Sequence, residues 1–269
     1  MRAVHPIERL RYVARAGDVD AAVLVQESAS ALSGLGDDPG GLLLSVRRLL
    51  ARHPVSGPLW ALCARVLLAP DPGSEGYRFA SAVEDDPTPR VLAGALPDDA
   101  RITVLGWPDL IGDALRRRGD VEVLVVDARG EGSSFVRRLA AVDVDAVDVD
   151  ESGLGAAAAR SNVVVLEATA MGPSGFYAVP GSLAAAAVAR TFGIPVWVVA
   201  GVGRILPDRL WDALIAHLPD VDAWGAADEH VPIELVDAVV RPSGLLDVAE
   251  ALAAPDCPPA PELQGEDHS

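Results

Sequence analysis

The chain has 269 residues, half of them apolar, with a formal net charge of −17 and an isoelectric point near 4.5. That length allows one large domain or two modest ones around a sizeable core, and the acidic balance excludes a nucleic-acid or anionic-membrane surface, which needs clustered positive charge. Apart from histidine every basic residue is Arg; the sequence holds no Lys, which removes Schiff-base chemistry and the lysine of nucleotide-hydrolase phosphate loops.

The opening stretch "MRAVHPIERLRYVARAGD" alternates charge with apolar residues where a signal peptide is continuously apolar, and no apolar run reaches the length of a membrane span. Before about residue 85 the apolar positions recur at intervals of three and four, the signature of amphipathic helices. "VDAAVLVQESASAL" predicts one. "GLLLSVRRLLARHP" predicts a second, with Leu42, Val46, Leu49 and Leu50 on one face and Arg47, Arg48 and Arg52 elsewhere. "GPLWALCARVLLAP" predicts a third, bounded by Gly57-Pro58 and Pro70, with Trp60 and Cys63 facing the core. The proline-rich, acidic "EDDPTPRVLAGALPDDAR" marks a boundary.

Beyond it short β-branched runs alternate with helical patterns: "RITVLG", "VEVLVVDA", "VDAVDVD", "NVVVLEA" and "PVWVVAG" are each followed by a helix. Five such units predict an α/β fold, a parallel sheet covered by helices. Residues 1–90 are accordingly assigned to an N-terminal helical domain, 91–252 to a Rossmann-like α/β domain and 253–269, proline-rich and acidic, to a disordered tail. Cys63 and Cys257 suggest neither a disulfide framework nor a metal spacing, and the five histidines are scattered. A reducing cytoplasm fits; no cofactor and no metal are expected.

In doubly wound sheets ligands bind outside the carboxyl ends of the strands. At one such end "DARGEGSS" sets Arg129 among Gly130, Glu131 and Gly132 just before a helix. Glycines permit close backbone approach, a helix start offers free N–H groups and a guanidinium takes a phosphate bidentately. The bland alternative is a flexible turn with an exposed arginine. At another end, "VVVLEATAMGPSGFYAVPGS" runs from a buried strand into Ser174-Gly175 and Gly181-Ser182, with Ser182 placed as the N-cap of the next helix; a capped helix after a long loop is the alternative. "GVGRIL" is a weak fragment of a dinucleotide fingerprint, lacking the third glycine.

Taken in order over roughly residues 40–246, these segments resemble the family that joins the alpha, beta and delta subunits of translation initiation factor 2B with methylthioribose-1-phosphate isomerase and ribose-1,5-bisphosphate isomerase. "LLARHPVSGPLWALCARVL" looks like the helix with that family's Arg-Pro-Thr segment. "VLVVDARGEGSSFVRRLA" is similar to its strand ending in Glu-Ser/Thr-Arg-Pro, which puts Asp127 and Arg129 at the acidic and arginine positions. "VDVDESG" places Asp150 at the next acidic strand end, and "VPIELVDAVVRPSG" resembles the closing motif. The resemblance implies a helical domain followed by a Rossmann-like one, a homodimer and a phosphorylated small ligand. The ligand-binding residues it implies are Arg129, Gly130, Glu131, Gly132, Asp150, Thr169, Ser174, Gly175, Gly181 and Ser182.

The departures are specific. By that resemblance the catalytic Asp of the isomerases falls on Thr169, their catalytic Cys on or beside Gly106, and their Asn-Lys pair on Ala178-Val179. Aldose–ketose isomerisation needs an acid and a base on adjacent carbons, so no catalytic residue is assigned. A regulatory protein that binds a sugar phosphate or a nucleotide phosphate is one expectation. A phosphosugar isomerase with relocated groups, drawn from Glu131, Glu167 or Asp150, is the other.

Overall fold

The computed structural model describes residues 20–264. The N-terminal stretch read against a signal peptide lies outside the described residues, as does the end of the acidic tail. The described residues open with four helices, α1 (Ala21–Ser33), α2 (Pro39–Arg52), α3 (Gly57–Leu68) and α4 (Pro72–Glu84), of which the last was not foreseen. Proline stands in the first turn of α2, α3 and α4, where its missing N–H costs nothing, and the Asp38 and Asp71 side chains cap α2 and α4. Leu42, Val46, Leu49 and Leu50 are the buried face of α2, and Trp60 and Cys63 are fully enclosed.

The proline-rich boundary segment contains a fifth helix, α5 (Thr88–Ala95), whose Leu92 and Ala93 join the core of the sheet. Then come β1 (Arg101–Leu105), α6 (Asp109–Leu115), β2 (Glu122–Val126), α7 (Gly132–Ala140), β3 (Asp145–Val149), α8 (Leu154–Arg160) and β4 (Val163–Glu167). A hairpin of β5 (Ala170–Gly172) and β6 (Gly175–Ala178) follows, and after it α9 (Ser182–Phe192), β7 (Val196–Val199), α10 (Asp208–Ala216), β8 (Glu229–Pro232), β9 (Ala238–Arg241), β10 (Gly244–Leu246) and α11 (Val248–Ala253).

The main sheet has seven strands in the order β10-β9-β7-β4-β1-β2-β3, all parallel except the antiparallel edge strand β10. From β1 the chain winds outward through β2 and β3, then crosses to the other side for β4 and β7, so the order reverses between β1 and β4. Nearly continuous burial of β1 and β4 is what a sheet covered on both faces demands. A small antiparallel sheet, β5-β6-β8, stands beyond the carboxyl end of β4.

The C-terminal segment departs from the disordered tail expected of it. Cys257, Ala260 and Leu263 are buried, and they belong to the same apolar cluster as Leu24, Val46, Leu59 and Trp60 of the helical layer. Proline-rich composition here encodes an extended strap with an apolar face, not a solvated end.

Candidate functional site

Where the strand order reverses, β1 and β4 pair only at Ile102–Val163 and Thr103–Val164, so their carboxyl ends part, as at the crevice where open sheets bind ligands. Glu167, the last residue of β4, is held on both oxygens: Oε1 pairs with Arg204 Nη1 at 3.0 Å and Oε2 accepts from the Ile111 N–H of α6 at 3.1 Å. Arg204 is buried, at 8% exposure, and Glu167 is mostly covered, at 12%. Arg204 also donates to Ala168 O at 2.5 Å. Thr169 follows, taking Gly57 N on its carbonyl at 2.9 Å and donating its hydroxyl to Tyr177 O at 3.1 Å. The crevice floor is thus tied to the helical layer through the start of α3.

Asp109, the first residue of α6, completes this group. Burial, then the charges of Glu167 and Asp20, push its carboxyl up to about 7, against the downward pull of Arg204 and Arg138. Two carboxyl groups at one crevice therefore differ in kind. Glu167 is neutralised by an arginine, and Asp109 retains its proton into the neutral range.

The edge formed by β1, β2 and β3 carries the other expected residues. Asp127 Oδ1 accepts the backbone N–H groups of Arg129, Glu131 and Gly132 at 3.3, 3.0 and 3.3 Å. These bonds, Gly132's first, hold the Asp127 carboxyl below the ordinary range despite some desolvation. The glycine-rich cradle before α7 is consequently filled by the chain's own carboxylate. Gly130 has φ +76°, the left-handed conformation that the turn requires. Arg129 is exposed, and its Nη2 donates to Ala227 O on the connection before β8.

Gly181 lies at the same edge, since a Cβ there would stand 3.1 Å from Leu105 of β1 and 3.2 Å from Leu154 of α8. With φ +96° it occupies the N-cap position of α9 that the sequence suggested for Ser182. Ser182 is instead the first helical residue and donates its hydroxyl to Val179 O at 2.7 Å. A carboxylate plugs this helix start too, for Leu183 N donates to Glu229 Oε1 at 2.7 Å. Asp150, exposed at the end of β3, precedes α8 on the same side.

Ser174 and Gly175 are not brought to this edge. All of β6 separates them from Gly181, about 13 Å at the rise of an extended strand. Ser174 Oγ accepts from Trp211 Nε1 at 2.8 Å, beside an aromatic cluster of Tyr177, Trp211 and His230. Gly175 packs so closely on Val231 O and the His230 ring that no side chain fits there.

No protein-family model matches the sequence, and comparison with curated proteins gives no match. Solved structures do match. Translation initiation factor eIF-2B from Pyrococcus horikoshii OT3 superposes with a TM-score of 0.74 at 13% identity, over 93% of this chain and 99% of that one. The tetrameric eIF2B β2δ2 complex from C. thermophilum gives 0.73 at 15%, over 92% of each chain. The beta subunit from Chaetomium thermophilum gives 0.64 at 18%, over 90% and 86%. The chain has the eIF2B-subunit fold.

Within that fold, the residues that sequence reasoning missed are Asp109, Arg204 and Glu229. Asp109 reads as an ordinary acidic helix start, and nothing in "GWPD" reports its burial. Arg204 sits in the "GVGR" fragment, yet its side chain runs back to β4. Glu229 lies 46 positions from the amide that it caps. Among the described residues no cluster of metal-binding side chains occurs, and no helix is long and apolar enough to cross a membrane.

Proposed function

We propose that this chain is a regulatory binding protein of the cytoplasm, a homodimer that takes a sugar phosphate or nucleotide phosphate at the carboxyl edge of β1, β2 and β3. One observation carries the reading: α7 and α9 both start at this edge against a carboxylate, Asp127 and Glu229, with the Arg129 guanidinium at hand. Helix starts with free N–H groups attract anions. Asp127 is built into its turn, whereas Glu229 reaches α9 from another strand and can yield to a ligand phosphate. The phosphate would then take Leu183 N and draw Arg129 off Ala227 O, with Asp150 accepting from sugar hydroxyls. The exposed aromatic side chain of Phe192 at the end of α9 supports a dimer contact.

The test is calorimetric titration with ribose phosphates, methylthioribose phosphate and purine nucleotides. For any ligand that binds, Arg129→Ala should weaken affinity tenfold or more and Glu229→Gln should tighten it several-fold by removing the competing charge. Unchanged affinity in Arg129→Ala defeats the assignment. Light scattering that finds only monomer at micromolar concentration defeats the dimer.

A second reading, an isomerase with relocated groups, is favoured by Asp109 and Glu167. A carboxyl group that burial keeps protonated toward neutral pH, as Asp109 is beside the arginine-paired Glu167, is what a general acid needs. Asp109 would supply the proton and Glu167 accept one. On this reading turnover of a phosphosugar falls above about pH 7 as Asp109 ionises, and Asp109→Asn abolishes it while ligand binding persists. A flat pH profile refutes it.

A further inference from the structure

The connections after β7 and β9 meet α3, α4 and the C-terminal strap around a cavity of about 320 Å³, at the lower end of the range for small-ligand sites. Its charged walls are Arg65, Glu75, Arg78, Arg241 and Asp256, and Phe79 gives it an apolar side. An adjoining recess shares Arg65, Glu75 and Arg78, so the cavity continues toward solvent between α3 and α4.

Arg241 is the decisive residue. It ends β9 at 6% exposure, far below what an arginine tolerates without partners. Nη1 donates to Ala251 O at 2.9 Å. Nη2 has no hydrogen bond; the nearest carboxylate oxygen, Asp256 Oδ1, stands 3.8 Å away. Nε is enclosed with no hydrogen-bond partner among the described residues. Asp256 does not close the gap: its Oδ2 accepts Gly203 N at 2.5 Å and its main-chain oxygen Arg65 Nη2 at 2.7 Å, while Oδ1, facing Arg241 at 3.8 Å, is buried beyond hydrogen-bond reach of a donor.

The two other guanidinium groups frame the opening. Arg65 lies over the Phe79 ring, 5.1 Å from its centroid, with Nη1 3.3 Å from Glu75 Oε1. Arg78 pairs with Glu75 from the solvent side and leaves most of its head exposed. On the wall of the cavity itself, inside the recess that adds Asp71, arginines outnumber carboxylates by one, in a chain whose total charge is −17. A local positive excess against so acidic a background attracts an anion.

The geometry points to a binding site for a small oxyanion, a carboxylate or phosphate with a short apolar body, held between the helical layer and the sheet by Arg241 and Arg78. The oxyanion would complete the open donor of Arg241 and lay its body against Phe79. Because α4, β9 and the strap all contribute, occupancy would clamp the helical layer onto the sheet. The site is independent of Arg129, which lies at the opposite side of the β1–β4 crevice in the strand order.

The experiment is a thermal-shift and calorimetric titration of the full chain with inorganic phosphate and with succinate, against chloride at equal ionic strength. A saturable rise in Tm is expected with at least one of the two. It should vanish in Arg241→Met, fall several-fold in Arg78→Ala and survive in Arg129→Ala. Should Arg241→Met not fold, Arg78→Ala still decides, because its head is exposed and its loss leaves the core intact. No saturable response beyond chloride, or the same response in Arg78→Ala as in the parent, overturns the proposal. Loss of the response in Arg129→Ala also overturns it, by placing the anion at the other edge.

Discussion

Asp109 shows how one buried acid sets a pH dependence. Its folded value of about 7 lies above the ordinary aspartate value of 3.8, so across that window the folded chain keeps a proton that the unfolded chain gives up. Stability therefore falls as pH rises from about 4 to 7, and the whole penalty is present above 7. Asp109→Asn should raise Tm at pH 8 and leave it nearly unchanged at pH 4, as melts at both values will show; an equal effect at both defeats the account. Beside it, Arg204 neutralises Glu167 in a mostly buried pair. Removing one partner of such a pair typically costs about 3–5 kcal/mol, because the other charge stays buried alone. Arg204→Met should lower the unfolding free energy extrapolated from urea denaturation by that order, and Glu167→Met added to it should restore part of the loss.

At the scale of elements, Gly57 decides how the helical layer meets the sheet. A Cβ on it would come 2.9 Å from the Arg204 Cα and 3.0 Å from Thr169 O, both backbone atoms that cannot swing away. Gly57→Ala should therefore destabilise by about 1–3 kcal/mol, the usual cost of overpacking, and should disturb the Arg204–Glu167 pair as well; a neutral denaturation curve would refute this. The α2 face and the strands β1, β2, β3, β4 and β7 were legible, because each rests on a period of 3.6 or on a β-branched run. The sheet β5-β6-β8 was not. "AMG", "GFYA" and "EHVP" are too short to show a period, and their pairing depends on residues some fifty positions apart, such as Phe176 and Val231. Proline misled in the boundary segment, where Pro89 opens α5 in the same way that Pro39, Pro58 and Pro72 open the helices before it. Of the site, Arg129 and Gly181 could be placed at strand and helix ends from the sequence. The carboxylates that fill the two helix starts were hidden: Asp127 turns back on its own loop, and Glu229 comes from across the fold.

For the molecule as described, the strap at residues 254–264 is bound to the helical layer of residues 21–68. Leu263 is 4% exposed and Cys257 2%, and both lie in the cluster built by α1, α2 and α3. Burial drives the thiols of Cys63 and Cys257 far above the ordinary cysteine range, so neither is a nucleophile in the folded chain. Leu263→Ala should cost about 2–5 kcal/mol if the strap is a true part of the core. A loose tail would make the same substitution silent. The strap also carries Asp256, which holds Gly203 N and stands against Arg65 and Arg241, so loosening it opens the join between the two layers as well as the helical core. Alkylation of Cys63 supplies a second readout: in a Cys257→Ser background Cys63 should react slowly in native buffer, and Leu263→Ala should speed that reaction well before the global melt. Equal rates with and without Leu263 would mean that the helical core closes without the strap.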